Sequence, residues 1–199
     1  MSTPRVGIGF DSHRLVPDRP LLLGGVRIEY GLGLLGHSDG DVLVHGLIDA
    51  LLGAAGLGDI GELYPDDDSR FEGADSMRLL SDTYGRVTAL NLRLGNADAT
   101  ILAGVPRLGP FRDAIRNSLS TALHSEPGQV NVKFKTPEAL GVLESAPFIA
   151  AQVIIQNPGL QLRAFPRQCL LCPPTDTYPD PACDSDGFRS LLCLIDPAY

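Results

Sequence analysis

Cysteine is absent from the first 168 residues of this 199-residue chain; all four cysteines lie at 169, 172, 183 and 193. A disulfide framework is therefore excluded for most of its length. Long apolar runs are missing too, and none approaches the ~20 residues that a membrane-spanning helix needs. Positive charge is scarce: 16 Lys and Arg face 24 Asp and Glu, a formal net charge of −8. That balance argues against partners such as nucleic acid or an anionic membrane. No Ser-His-Asp machinery is present. The first strand signal begins near residue 5, which leaves no room for a signal or transit peptide, so a cytoplasmic protein of bacterial type is expected. What remains is a globular composition, 44% hydrophobic and 20% charged, long enough for one domain with a real core.

Against that background, residues 5 to 14 stand out: Arg-Val-Gly-Ile-Gly-Phe-Asp-Ser-His-Arg. The alternation predicts a short strand, in which positions i and i+2 share a face. Asp11 and His13 then project side by side, a carboxylate oxygen and an imidazole nitrogen suited to a divalent metal such as zinc. The same pair is also what a polar strand end with a satisfied histidine would give. A second segment, residues 34 to 56, predicts a helix capped by Ser38, with Asp41 three residues on. Leu43, Leu47, Ile48, Leu51 and Leu52 recur at helical spacing, and Gly53 or Gly56 offers a stop. Asp41, His45 and Asp49 fall on one helix face beside that stripe. A solvated charged face would read the same way. Yet three of the four histidines, His13, His37 and His45, lie in the first 45 residues. Asp11, His13 and His45 together offer two nitrogens and one oxygen, the three-ligand arrangement of a catalytic zinc site, with Asp41 or Asp49 orienting His45 from behind. His37 precedes the helix start, where free backbone N–H groups attract anions.

Residues 58 to 68 hold glycine, proline and four aspartates, and predict an exposed acidic loop. Solvated charge, a metal, or the hydroxyls of a polyol would each suit it. Beyond it, a helix is expected over 74–90, a strand over 96–105, a helix over 110–124 and a strand over 129–136. Strands and helices that alternate in this way predict a single α/β domain.

The ordered segments Arg5 to Arg14, Leu23-Gly-Gly-Val-Arg-Ile28, Gly36-His-Ser-Asp-Gly-Asp-Val-Leu-Val-His45, Gly58 to Asp66 and Gly73-Ala-Asp-Ser76 resemble the 2-C-methyl-D-erythritol 2,4-cyclodiphosphate synthases of the non-mevalonate isoprenoid pathway. The resemblance runs from residue 5 to about 80 and more loosely to about 156. It implies an α/β subunit of the α+β sandwich type, with a mixed sheet covered by helices. It also implies a homotrimer with an active site at each subunit boundary. The implied reaction is a metal-dependent cyclisation that releases CMP from a nucleotide-diphosphate substrate. It implies Zn2+, or another divalent cation, at Asp11, His13 and His45, and Mg2+ or Mn2+ held with the substrate diphosphate by Glu138. His37 and Thr136 would be catalytic. Ser12, Ser38, Asp59, Ile60, Gly61, Tyr64, Pro65, Asp66, Asp67 and Asp68 would bind the phosphate and methylerythritol parts. Ala103, Pro106, Arg107, Lys135, Thr136, Pro137 and Glu138 would bind the nucleotide side.

Among the departures from the family pattern, three bear on activity. Phe134 stands where a small residue is usual, Val142 replaces a phenylalanine, and Ser145 replaces an arginine that clamps phosphate. They motivate an alternative, a catalytically impaired binding homologue on the same fold. Residues 157–199 hold seven of the sixteen prolines and all four cysteines, and lie outside the resemblance. Cys169 and Cys172 have metal-ligand spacing, but the later cysteines match no zinc pattern, so a loosely ordered extension is expected.

Overall fold

The computed structural model describes residues 3–126, 128–137 and 147–157. The expectations that concern Glu138, Val142, Ser145 and the cysteine-bearing extension fall outside the described residues.

The opening strand is long: β1 spans Arg5–Val16. Alternation of large apolar residues with glycine would ordinarily turn the large ones inward. Here the phase is reversed. Gly7 and Gly9 are buried, while Val6, Ile8 and Phe10 are 66%, 61% and 61% exposed. Helix α1 (Val42–Ala55) is the reason. A Cβ on Gly7 would collide with the Ala50 carbonyl, and one on Gly9 with the Gly46 carbonyl. The absent side chains let the helix lie directly on the strand. Arg5 adds a clamp at the far end, donating from its guanidinium to the Ala54 and Ala55 carbonyls at 3.3 Å each.

The cap of α1 differs from expectation. Asp41, not Ser38, is the N-cap, and its carboxylate accepts from the Val44 N–H at 3.1 Å. Gly40, at φ 78°, turns the chain just before the helix and leaves Ser38 a turn too early to cap it. The Asp41 carboxylate also accepts from the Gly24 and Gly25 N–H groups, at 3.0 and 2.7 Å. It thereby pins the hairpin of β2 (Leu21–Leu23) and β3 (Val26–Ile28) to the helix start. Gly56, left-handed at φ 72°, ends the helix. The stripe from Leu43 to Leu52 is buried as expected.

Strand β4 (Gly33–Leu34) leads into the helix. The acidic segment is more ordered than a loop. It contains α2 (Ile60–Leu63), capped by Asp59, and is followed by a 3-10 turn, Ser69–Phe71, capped by Asp68. The next four elements fall within two residues of their expected bounds: α3 (Ser76–Ala89), β5 (Asn96–Ala103), α4 (Arg112–Ala122) and β6 (Val130–Lys135). The last strand, β7 (Phe148–Asn157), was not expected from sequence periodicity, nor were the short β2, β3 and β4, and β7 takes the middle of the sheet.

The order is β4-β1-β7-β5-β6, with β7 antiparallel to β1 and β5, and β5 parallel to β6. This is the expected mixed α/β sheet, but among the described residues helices cover only one face. On that face α1 lies over β1 and β7, α3 packs on α1, and α4 lies against β6. The opposite face carries no helix among the described residues. There Ile8 sits across from Ile154, which is 44% exposed.

Candidate metal centre

The long β1 and the close-packed α1 together build the site. On β1, Asp11 and His13 share the face of Gly7 and Gly9, so both point toward the helix. On α1, His45 lies one residue before Gly46, whose carbonyl touches the strand at Gly9. The three side chains meet. Asp11 Oδ2 lies 3.0 Å from His13 Nε2 and 2.9 Å from His45 Nδ1, and the two ring nitrogens are 3.1 Å apart. A tetrahedral ion with bonds of about 2.0–2.1 Å spaces its ligands roughly 3.3 Å apart. The trio needs to open by only a few tenths of an ångström to hold one, so the donor set and its spacing fit a divalent metal.

The electrostatics agree. Burial alone would raise the Asp11 carboxyl, but hydrogen bonds and charge from His13 and His45 outweigh it and hold the group well below the usual carboxylate range. Burial would lower His45, which is only 9% exposed. The hydrogen bond that Asp11 accepts and the charges of Asp11, Asp41 and Asp39 outweigh that and hold it above the ordinary histidine value. A lowered Asp11 beside a raised His45 marks a site that favours positive charge next to a carboxylate.

Neither carboxylate expected behind His45 touches its ring. Asp41 is committed to backbone N–H groups, and Asp49 accepts from the Ile60 N–H at 2.8 Å, tying the acidic segment to α1. Two serines take that place instead. His45 Nε2 lies 3.0 Å from Ser38 Oγ and 2.9 Å from Ser76 Oγ. Ser76 is 31 residues away in sequence, so no spacing signal could have paired it with His45.

A cavity of about 180 Å3 opens beside the trio, lined also by His37, Ser38, Asp49, Ile60, Gly61, Tyr64 and Asp66. Thus His37, Ser38, Ile60, Gly61, Tyr64 and Asp66 gather in one cavity beside the trio. Asp59 and Asp68 act as caps, and Asp68 is paired with the Arg70 guanidinium. Pro65 and Asp67 are not among the lining residues, and Ser12 is exposed, out of phase with Asp11 and His13. A second cavity, about 400 Å3, is lined by Ala103, Pro106, Arg107, Lys135 and Thr136 of the implied nucleotide side, together with Phe134. Pro137 does not line it, and Phe134 lies under the Arg112 guanidinium, 5.5 Å from the ring centre.

The profile of the YgbB family matches residues 4–156, which is every element from β1 to β7 but the last residue. This chain belongs to the YgbB family. It is similar to the 2-C-methyl-D-erythritol 2,4-cyclodiphosphate synthase of Moorella thermoacetica, 52% identical over 76% of this chain and 93% of that protein. The enzyme of that name from Clostridium acetobutylicum is 47% identical over 75% of this chain and 97% of its own length. A solved 2C-methyl-D-erythritol-2,4-cyclodiphosphate synthase in a CDP-bound form superposes with a TM-score of 0.70 at 40% identity, covering 76% of this chain and 98% of that one. Family membership thus spans the whole sheet and both cavities.

Proposed function

We propose that the protein converts 4-diphosphocytidyl-2-C-methyl-D-erythritol 2-phosphate into 2-C-methyl-D-erythritol 2,4-cyclodiphosphate and CMP, a step of isoprenoid biosynthesis. The observation that carries this reading is the Asp11, His13 and His45 trio, set beside a small cavity in a chain that matches enzymes so named over three quarters of its own length and nearly all of theirs. An oxygen of the 2-phosphate attacks the β-phosphorus, a new P–O bond closes the ring, and the bond from that phosphorus to the bridging oxygen breaks. CMP leaves with the bridging oxygen and its electrons. No water is consumed, so the reaction is a phosphorus–oxygen lyase step.

The nucleophile arrives with the substrate, so the protein needs to align and neutralise rather than attack. Asp11, His13 and His45 would hold Zn2+ or another divalent cation, which when bound supplies positive charge beside the reacting phosphate. Ile60, Gly61, Tyr64 and Asp66 line the same cavity and would take the methylerythritol hydroxyls. His37 and Ser38, in the same cavity, would hold phosphate. Arg107, Lys135 and Thr136 line the second cavity, where two cations would meet the nucleotide's phosphates and the Thr136 hydroxyl would donate to the transferring group. Glu138 would bring Mg2+ or Mn2+ to the diphosphate.

The two cavities share no lining residue. That supports a homotrimer in which the parts of one active site come from neighbouring subunits, and the uncovered apolar sheet face supplies a surface for such packing. We read residues 1–156 as the catalytic domain and 157–199 as an appendage to it. A cytoplasmic setting suits the reading, and no described helix is long and apolar enough to cross a membrane.

The test is release of CMP from the diphosphocytidyl substrate with zinc and magnesium present, the other product identified by phosphorus NMR. We expect a cyclic diphosphate, lost to background in His45→Ala. A linear product, or none from the metal-loaded wild type, would overturn the assignment.

A further inference from the structure

We propose that Asp39 and Ser76 are positioning residues that fix the tautomer of His45, so that its Nδ1 lone pair is presented to the metal. The inference rests on reading Asp11, His13 and His45 as a metal centre. It goes beyond that reading because neither Asp39 nor Ser76 touches the ion's place.

The argument is proton bookkeeping along one chain of hydrogen bonds. Ser76 opens α3, is fully buried at 0% exposure, and has one hydroxyl proton to place. Its Oγ donates to Asp39 Oδ1 at 2.5 Å, while its N–H donates to Asp39 Oδ2 at 3.0 Å. Both carboxylate oxygens are thus acceptors facing one residue. With its proton committed to Asp39, the Ser76 oxygen can only accept from His45 Nε2, 2.9 Å away. Ser38 Oγ, 3.0 Å from the same nitrogen and 3.3 Å from Ser76 Oγ, fits the same polarity by accepting from Nε2 or donating to Ser76. One ring proton is therefore fixed on Nε2, and Nδ1, which hydrogen-bonds Asp11 Oδ2 at 2.9 Å in the metal-free site, is the nitrogen that gives up its proton and presents a lone pair when a metal binds. Carboxylates that orient a ligating imidazole from behind are a general device of metal sites. Here the carboxylate acts at one remove, through a serine.

The chain also ties together three parts of the fold. Asp39 lies in the turn before α1, Ser76 begins α3, and the Asp39 N–H donates to the Ala74 carbonyl at 3.0 Å. A purely structural role for the pair is thus the competing explanation, and the test must separate the two.

Asp39→Asn does so. An asparagine can keep one oxygen on the Ser76 N–H only by turning its NH2 toward Ser76 Oγ. The serine must then donate to His45, which forces the ring proton onto Nδ1 and blocks the ligand position. Zinc affinity of the full chain is measured by competition with a chromogenic chelator, for wild type, Asp39→Asn, Ser76→Ala and Ser76→Thr. Thermal unfolding of the metal-free proteins runs alongside, and proton–nitrogen NMR of histidine-labelled, zinc-loaded samples reads the Nε2–H. We expect affinity to fall about 10- to 100-fold in Asp39→Asn and Ser76→Ala. Ser76→Thr, which keeps the hydroxyl, should restore most of it. The hydrogen-bonded Nε2–H signal should be present in wild type and lost or shifted in Asp39→Asn. Unchanged zinc affinity in both disruptive variants, or a wild-type His45 that carries its proton on Nδ1, would overturn the proposal. Should a variant fail to fold, the wild-type NMR signal alone still decides. Absence of CMP release with the zinc results intact would sink the assigned reaction and leave this inference standing.

Discussion

Tyr64 joins the acidic segment to α3 and lines the cavity beside the metal trio. Its hydroxyl lies 2.8 Å from Asp82 Oδ2, 3.1 Å from the Leu79 carbonyl and 3.0 Å from Thr83 Oγ1. Burial, followed by the hydrogen bond and charge of Asp82, pushes its ionisation up to about 12 from 10.0. A folded-state value above the unfolded one means that the stabilisation is complete below pH 10 and is lost as pH rises through about 12. Tyr64→Phe should therefore cost about 1–2 kcal/mol at pH 8, from the lost hydrogen bonds. The gap to wild type should shrink as pH rises above 10, because only wild type has this group to ionise. Denaturant melts of both proteins at pH 8 and pH 11 check it, and a gap that widens with pH would refute the account. At this scale the sequence was partly legible. Asp11 and His13 announced themselves through a period of two. Ser76 behind His45 did not, because a contact across 31 residues leaves no local pattern.

At the scale of elements, the distance between β1 and α1 decides whether the trio can form. Gly7 and Gly9 set that distance by having nothing to put between strand and helix. Gly9→Ala places a methyl against the Gly46 carbonyl, one residue from His45, and backbone cannot be moved as cheaply as a side chain. We expect a loss of about 1–3 kcal/mol in unfolding free energy. We also expect weaker zinc binding, because the helix that carries His45 is pushed from the strand that carries Asp11 and His13. Calorimetry and chelator competition together test this, and a variant as stable and as tight as wild type would show that the close approach does not set the site. The helices could be read from their apolar spacing because α1, α3 and α4 each bury a defined stripe or, for α1, nearly the whole surface. β7 could not. Ile149, Ala150, Ala151, Val153 and Ile155 are all buried, so Phe-Ile-Ala-Ala-Gln-Val-Ile-Ile has no clean alternation to mark a strand. The cap of α1 was misplaced for a related reason: Ser38 and Asp41 both have cap chemistry, and only the turn at Gly40 decides between them.

For the whole molecule, the open question is what meets the uncovered face of the sheet. Val6, Ile8 and Phe10 on β1, and Ile154 on β7, form an exposed apolar surface on an antiparallel pair. A sheet face left to water would ordinarily be polar. Its neighbours are polar: Asp98 on β5 lies beside Ile154, paired with Lys133 at 2.6 Å and with Asn131 at 2.9 Å. An apolar patch with a polar rim is the make-up of a subunit interface. If three copies pack through this face, Ile8→Glu should place unpaired charges at the contact and separate them. Its side chain points away from α1, so the metal trio, which comes wholly from one chain, should survive. We expect sedimentation to give the mass of three chains for wild type and one for the variant, with zinc affinity within about twofold of wild type. CMP release should nevertheless fall by at least about tenfold, since the cavity of the trio and the cavity of Arg107, Lys135 and Thr136 draw on separate residues and, on this reading, are completed across the boundary. A monomeric wild type would remove the trimer. A monomeric Ile8→Glu that keeps full activity would show that one chain suffices, and the apolar face would then need a different partner.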